Sequence, residues 1–166
     1  MMRQPFVLLI GLLISGAIYG QEVGSKSYQL MLKTLLSHTV PETAVSEVDE
    51  LNFVLLDARE MGEYNVSRIK GAKWVGYEDF TLDRVEGINK KSKILVYCSV
   101  GYRSEKVAER LIAAGFTDVS NLYGGIFEWV NQKNQVVDSS GNTVEKIHAY
   151  NKVWGLWLRR GEKVYE

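Results

Sequence analysis

The chain has 166 residues, 46% hydrophobic and 24% charged. These values suit one globular domain with an additional terminal segment and exclude wholesale disorder and coiled-coil arrays. Lys plus Arg and Asp plus Glu number 20 each, so no global field favours nucleic acid or a basic partner. One cysteine and two distant histidines, His38 and His148, exclude a disulfide framework and a Cys- or His-clustered metal site. Neither a metal nor a cofactor is expected.

Arg3 precedes an apolar run over residues 6–14, and the small residues Ser15, Gly16, Ala17 and Gly20 follow. This pattern predicts a secretory signal over residues 1–20, cleaved after Ala17 or Gly20. The alternative is a retained membrane anchor, but the run is shorter than the ~20 apolar residues of a spanning helix. No cysteine follows the run to carry a lipid. Cleavage would leave 19 basic and 20 acidic side chains, one free thiol and no stable membrane span. The expected location is exported, periplasmic or secreted.

Residues 21–38 form an N-terminal helical segment, in which Tyr28, Leu32, Leu35 and Leu36 recur at helical spacing. Pro41 redirects the chain. Phe53, Val54, Leu55 and Leu56 read as a buried strand that ends at Asp57. Residues 60–66 suggest a short helix, Gly71 a break, residues 73–75 a short strand, and residues 78–85 contain a helical stretch. Ile94, Leu95, Val96 and Tyr97 form the second buried strand, and Cys98 stands at its end. From Ser104 onward Val107, Ala108, Leu111 and Ile112 share one helical face, with Gly115 as the stop. Residues 119–123 are a third strand candidate, followed by Gly124, Gly125 and a helix through Trp129. This alternation predicts an α/β fold of three layers, a central largely parallel β-sheet flanked by helices, with Cys98 on a loop at one sheet edge.

Residues 134–166 form a Trp-rich C-terminal extension. It opens on a turn cluster at residues 138–142. Ile147, Tyr150, Trp154, Trp157 and Leu158 then follow a helical pattern. That stripe is expected to pack back on the domain, the alternative being a partner-docking surface.

The informative loop is Cys98-Ser99-Val100-Gly101-Tyr102-Arg103-Ser104. Between a strand end and a helix N-terminus, several N–H groups lack helical partners and can converge on one point as an anion cradle. Gly101 permits a tight curl, and Arg103 adds a permanent charge with a planar donor fork. Helix N-termini and nearby cations bring thiols toward pKa values of roughly 3.5–7.5, so a nucleophilic thiolate is expected at this focus.

The loop resembles the active loop of single-domain rhodaneses, Cys-x-x-Gly-x-Arg-Ser. Three further elements agree in order: Asp57-Ala58-Arg59; Glu63-Tyr64 with Ile69-Lys70-Gly71-Ala72; and Leu122-Tyr123-Gly124-Gly125 with Trp129. The likeness places a rhodanese-like domain at residues 39–133. Ser67-Arg68 departs from the family's usual Gly-His, which implies different local packing and rim charge. The N-terminal helix and the tail lie outside the core likeness and are expected to modify access or partners.

The resemblance implies an exported sulfurtransferase of the thiosulfate sulfurtransferase type. Cys98 would take a sulfane sulfur from a donor such as thiosulfate as a persulfide and pass it to cyanide or a thiol. The implied partners are small sulfur-containing anions and a thiol or protein sulfur acceptor. Ser99, Val100, Gly101 and Tyr102 would provide the backbone cradle, and Arg103 would stabilise the loop and attract an anionic donor. Ser104 would cap the helix or donate toward sulfur, capping being favoured. Asp57 and Arg59 are expected to pair beneath the loop, while Trp74 and Trp129 are expected in the core and Gly124-Gly125 at a close backbone contact. Related phosphatases have one more residue between cysteine and arginine; the six residues from Cys98 to Arg103 and Tyr97 before the cysteine favour sulfur over a phosphatase or arsenate reductase. A persulfide-binding or redox docking module with little turnover is the other alternative.

Overall fold

A computed structural model of the chain describes residues 23–165; the leader expected at residues 1–20 lies outside them. Strands β1 (Glu42–Thr43), β2 (Val54–Asp57), β3 (Lys73–Trp74), β4 (Lys93–Tyr97) and β5 (Asp118–Leu122) form one sheet in the order β1-β5-β4-β2-β3. Every pairing is parallel. The continuous apolar runs of β2 and β4 are what a sheet covered on both faces requires. Strand alternation sends Leu55, Leu95 and Tyr97 into one core, while Leu56, Ile94 and Val96 enter the other.

Helix α3 (Tyr102–Ala113) covers the second face through Val107, Ala108 and Leu111. Ile112 departs from the expected stripe and is 41% exposed, because it lies one residue past the buried i, i+1, i+4 set. Helices α1 (Lys26–Leu35) and α4 (Gly125–Asn131) cover the first face. Helix α2 (Met61–Val66) follows β2. The helical stretch expected within residues 78–85 is only a 3₁₀ turn, Leu82–Val85. Trp129 is buried as expected, but Trp74 is half-buried on edge strand β3, with Arg84 stacked over its ring at 4.1 Å.

Helix α1 is joined firmly to the domain. Tyr28 donates its hydroxyl to the Gly124 carbonyl at 2.8 Å and stacks on Trp157 at 5.3 Å. Fully buried Glu105 of α3 accepts the Ser37 and Thr39 amides at 3.0 and 3.3 Å. The start of α1 is capped by Ser25.

The tail is not the expected helix. Strands β6 (Val136–Val137) and β7 (Thr143–Val144) form a hairpin whose turn is held by Asp138, which accepts the Ser140 and Asn142 amides. Strands β8 (Lys146–His148) and β9 (Glu162–Val164) pair in parallel around a 3₁₀ turn at Trp154–Trp157. Asn151 starts that turn in the manner of an N-cap, accepting the Val153 and Trp154 amides on its side chain, and the turn ends after four residues. Ile147 and Leu158 are fully buried, and Trp154 and Trp157 pack on the core. Tyr150 is 47% exposed and adopts a positive φ of 64°.

Candidate active site

The site sits at the carboxyl end of β4, where a parallel sheet delivers its loops. Cys98 is 1% exposed, at the wall of a cavity of about 210 Å³ also lined by Leu35, Val100, Tyr102, Arg103, Tyr150 and Trp154. The Gly101 N–H donates to Cys98 Sγ at 3.1 Å. Gly101 has a φ of +124°, a conformation that L side chains resist.

Pinned carbonyls fix the direction of the loop's other amides. The Ile126 and Phe127 amides in the first turn of α4 donate to the Cys98 and Ser99 carbonyls at 2.9 and 3.1 Å. Asn121 Nδ2 and the Glu105 amide donate to the Gly101 carbonyl at 2.9 and 3.0 Å. A trans peptide points its N–H opposite to its C=O, so these contacts turn the Ser99, Val100 and Tyr102 amides away from the carbonyl anchors. Those three amides find no acceptor among the described residues. Gly125 makes the approach possible: a Cβ there would lie 2.5 Å from the Cys98 carbonyl oxygen and 2.6 Å from that of Ser99. The close backbone contact expected of Gly124-Gly125 is therefore present.

The Arg103 guanidinium forks onto Glu63, with Nη1 to Oε2 at 2.6 Å and Nη2 to Oε1 at 2.9 Å, and Nη2 also donates to Ser99 Oγ at 2.9 Å. Ser99 Oγ in turn donates to Glu63 Oε1 at 3.0 Å. Burial weakens the Arg103 charge, but Glu63 and the neighbouring Cys98 sulfur outweigh it and raise the guanidinium's pKa. Ser104 neither caps α3 nor points at sulfur. Gly101 is the N-cap, and Ser104 Oγ lies 2.7 Å from Asn121 Oδ1 and 3.1 Å from the Gly101 carbonyl. Ser104 is the third residue of α3, so its side chain turns under the loop.

Asp57 and Arg59 form the expected scaffold pair. Arg59 Nε lies 3.0 Å from Asp57 Oδ1 and Nη2 2.6 Å from Oδ2, both side chains being fully buried. Arg59 Nη2 also donates to the Ser67 carbonyl at 2.6 Å. At the departure from the family pattern, Ser67 is buried and Arg68 stacks on Tyr64 at 4.3 Å.

Glu63, Asn121, Leu35, Tyr150 and Trp154 had no site role in the sequence reading. Glu63 carried one usable signal, an acidic residue within a motif that also supplies a buried helix face. Burial pushes the Glu63 carboxyl up, but Arg103, the Arg59 charge and the Glu60 amide outweigh it and hold it below its ordinary value. Its stabilising contribution is thus present at neutral pH and is lost as pH falls through that lowered value. Glu63→Gln is expected to cost about 2–3 kcal/mol at neutral pH. The difference should shrink below the usual carboxylate range. Urea unfolding of both proteins at neutral and acid pH checks this; equal stability at neutral pH would contradict it.

The parallel sheet flanked by helices, with the chain's one cysteine on the loop after β4, makes this an α/β protein. The rhodanese-like domain model matches residues 40–132, over half of the chain, and the chain belongs to that family. It is 33% identical over 100 residues to the tRNA uridine(34) hydroxylase of Cytophaga hutchinsonii, a match covering 55% of this chain and 31% of that protein. The corresponding protein of Bdellovibrio bacteriovorus is 31% identical over 103 residues, covering 58% and 29%. The chain thus spans under a third of the length of these curated relatives. Among solved structures, a rhodanese-like domain from Anabaena sp. superposes with a TM-score of 0.50 at 29% identity, over 54% of this chain and 67% of that one. The thiosulfate sulfurtransferase of Pseudomonas aeruginosa gives 0.57 at 25% identity, over 70% and 23%.

Proposed function

We propose that this protein is a sulfurtransferase that carries a sulfane sulfur on Cys98. The observation that carries this reading is the Cys98 sulfur at the wall of an accessible cavity, receiving the Gly101 N–H within a loop whose carbonyls are held outward. Fixed donors of this kind stabilise charge without reorganisation. The Cys98 thiolate attacks the outer sulfur of a donor such as thiosulfate. A new S–S bond forms, the donor's S–S bond breaks, and sulfite leaves with the electron pair. Cyanide or a thiolate then attacks the outer sulfur of the persulfide and returns the electron pair to Cys98 Sγ. The two half-reactions are ping-pong. Ser99, Val100, Gly101 and Tyr102 supply amides, Arg103 holds the loop through Glu63, and Ser104 acts from beneath through Asn121.

The curated relatives are named for tRNA hydroxylation, and what they share with this chain is confined to part of their length. The balanced charge of this chain favours small sulfur compounds over nucleic acid as partners. Arg3, the apolar run over residues 6–14 and the small residues after it support reading residues 1–20 as a cleaved leader and the protein as exported, periplasmic or secreted, which N-terminal sequencing of the mature form tests. Among the described residues no helix is long and apolar enough to cross a membrane.

Purified protein is treated with thiosulfate and weighed by mass spectrometry, then mixed with cyanide. The expected result is one added sulfur on Cys98 and thiocyanate release, both absent in Cys98→Ala. Wild-type protein that gains no sulfur overturns the reading. Aryl phosphate hydrolysis that disappears in Cys98→Ala would replace it with a phosphatase.

A further inference from the structure

The cavity above Cys98 is closed in part by segments outside the matched family region, residues 40–132. Leu35 enters from α1, and Tyr150 and Trp154 from the tail. Tyr150 holds a φ of 64°, a conformation that costs a bulky L residue energy and is retained where the surroundings enforce it. In that conformation its ring lies 5.1 Å from the Arg103 guanidinium carbon. The tail thus bends to place an aromatic wall beside the sulfur.

The charges around this cavity are already compensated. Arg103 is matched by Glu63, with Glu60 a further 4.0 Å contact. Arg59 is buried against Asp57. Burial lowers the pKa of His148, as do the Arg59 and Arg103 charges, against the pull of Glu63, which favours the neutral imidazole. Among the described residues that line the cavity, Arg103 is the one cation and it is taken up by Glu63, while the apolar walls favour groups that shed water. At about 210 Å³ the cavity is smaller than the roughly 300–1,000 Å³ of sites for drug-sized ligands, so the group it receives is small.

We propose that this cavity is an acceptor-specificity site, and that the sulfur acceptor is a low-molecular-weight thiol with an uncharged aliphatic or aromatic substituent. The substituent lies against Leu35, Tyr150 and Trp154 and presents its sulfur to Cys98. The inference rests on the sulfur-transfer reading above and names the substrate class of that site. The acceptor thiolate attacks the outer sulfur of the Cys98 persulfide, forming a new S–S bond. The bond to Sγ breaks, its electron pair stays on Sγ as thiolate, and the persulfide proton remains on the transferred sulfur. No oxidant or reductant enters.

The test has two arms. In the first, protein loaded with sulfur by thiosulfate is mixed with alkanethiols of increasing length, benzyl mercaptan, 3-mercaptopropionate or 2-mercaptoethanesulfonate, and each rate is divided by that for cyanide. The ratio is expected to rise about threefold per added methylene until the cavity is full. The two charged thiols should fall at least about tenfold below neutral ones of similar size, since an unpaired charge loses hydration on entry. Tyr150→Ala and Trp154→Ala should flatten the series; the exposed Tyr150 makes its substitution the safer one for folding. In the second arm, benzyl alcohol is expected to slow alkylation of Cys98 by iodoacetamide, and Trp154→Ala to relieve that protection.

A flat series with no preference for neutral thiols, or absent protection by benzyl alcohol, overturns the inference. Protection without any sulfur loading supports the apolar site and defeats the sulfurtransferase reading instead, so the two failures are distinguishable.

Discussion

Asp57→Ala is expected to cost about 3–5 kcal/mol of folding stability, the range for breaking a buried ion pair by removing one partner. Both side chains of the Asp57–Arg59 pair are fully buried, and Asp57 accepts from Arg59 Nε, Nη2 and the Arg59 amide. Alanine would leave a guanidinium in the core with the Ser67 carbonyl as its remaining hydrogen-bonded anchor. Asp57 also closes β2 through its carbonyl, which accepts the Val75 and Gly76 amides, but those backbone bonds survive the substitution. The loss therefore reports the charge and not the strand. Asp57→Asn keeps an acceptor and should fall between wild type and alanine. Urea unfolding measures the series; an alanine variant within about 1 kcal/mol of wild type would mean that water reaches and solvates Arg59.

Gly125→Ala should be comparably damaging and should act on the site directly. The new methyl carbon would sit 2.5 and 2.6 Å from two backbone oxygens, and neither belongs to a flexible side chain end. Gly125 also has a φ of +57°, which costs an L residue roughly 1–2 kcal/mol by itself. Relief requires α4 to withdraw from the loop, breaking the bonds from Ile126 and Phe127 that turn the carbonyls outward. The expected result is a loss of about 3 kcal/mol or more and sulfur loading at least about tenfold slower in the fraction that remains folded. Gly62 is the control: an added Cβ there meets nothing within 4 Å, and Gly62→Ala within α2 should be stabilising by roughly 0.5–1 kcal/mol. Wild-type loading in Gly125→Ala would show that the cradle does not depend on α4.

The leverage of Gly125 comes from long-range assembly. The loop's shape is held by α4, by Asn121 on β5 and by Glu63 on α2, three elements that approach it only because β2, β4 and β5 are adjacent parallel strands. Arg103 follows the same logic. Its fork points at Glu63, so what it gives the loop is local shape more than free charge.

Contiguous features were readable in the chain itself. The apolar runs of β2 and β4 announced a sheet covered on both faces. Cys98, Gly101 and Arg103 lie within six residues, so their meeting needs only one strand-to-helix turn. Ser104 shows the limit: its neighbourhood was evident, but its hydrogen-bond partner, Asn121, comes from another strand.

The tail shows why periodicity can mislead. Tyr150, Trp154, Trp157 and Leu158 carry helical spacing, yet only one 3₁₀ turn forms at Trp154–Trp157, and 146–148 finds a strand partner at 162–164. Propensity is a weak prior against a sheet pairing made from afar. The chain alone thus determined the sheet, the position of Cys98 and the loop length, because each depends on neighbours in sequence. Tertiary structure alone decided the Glu63 clamp and the apolar wall of Leu35, Tyr150 and Trp154. Those side chains are distant along the chain and converge only when the parallel sheet brings its flanking segments to one end.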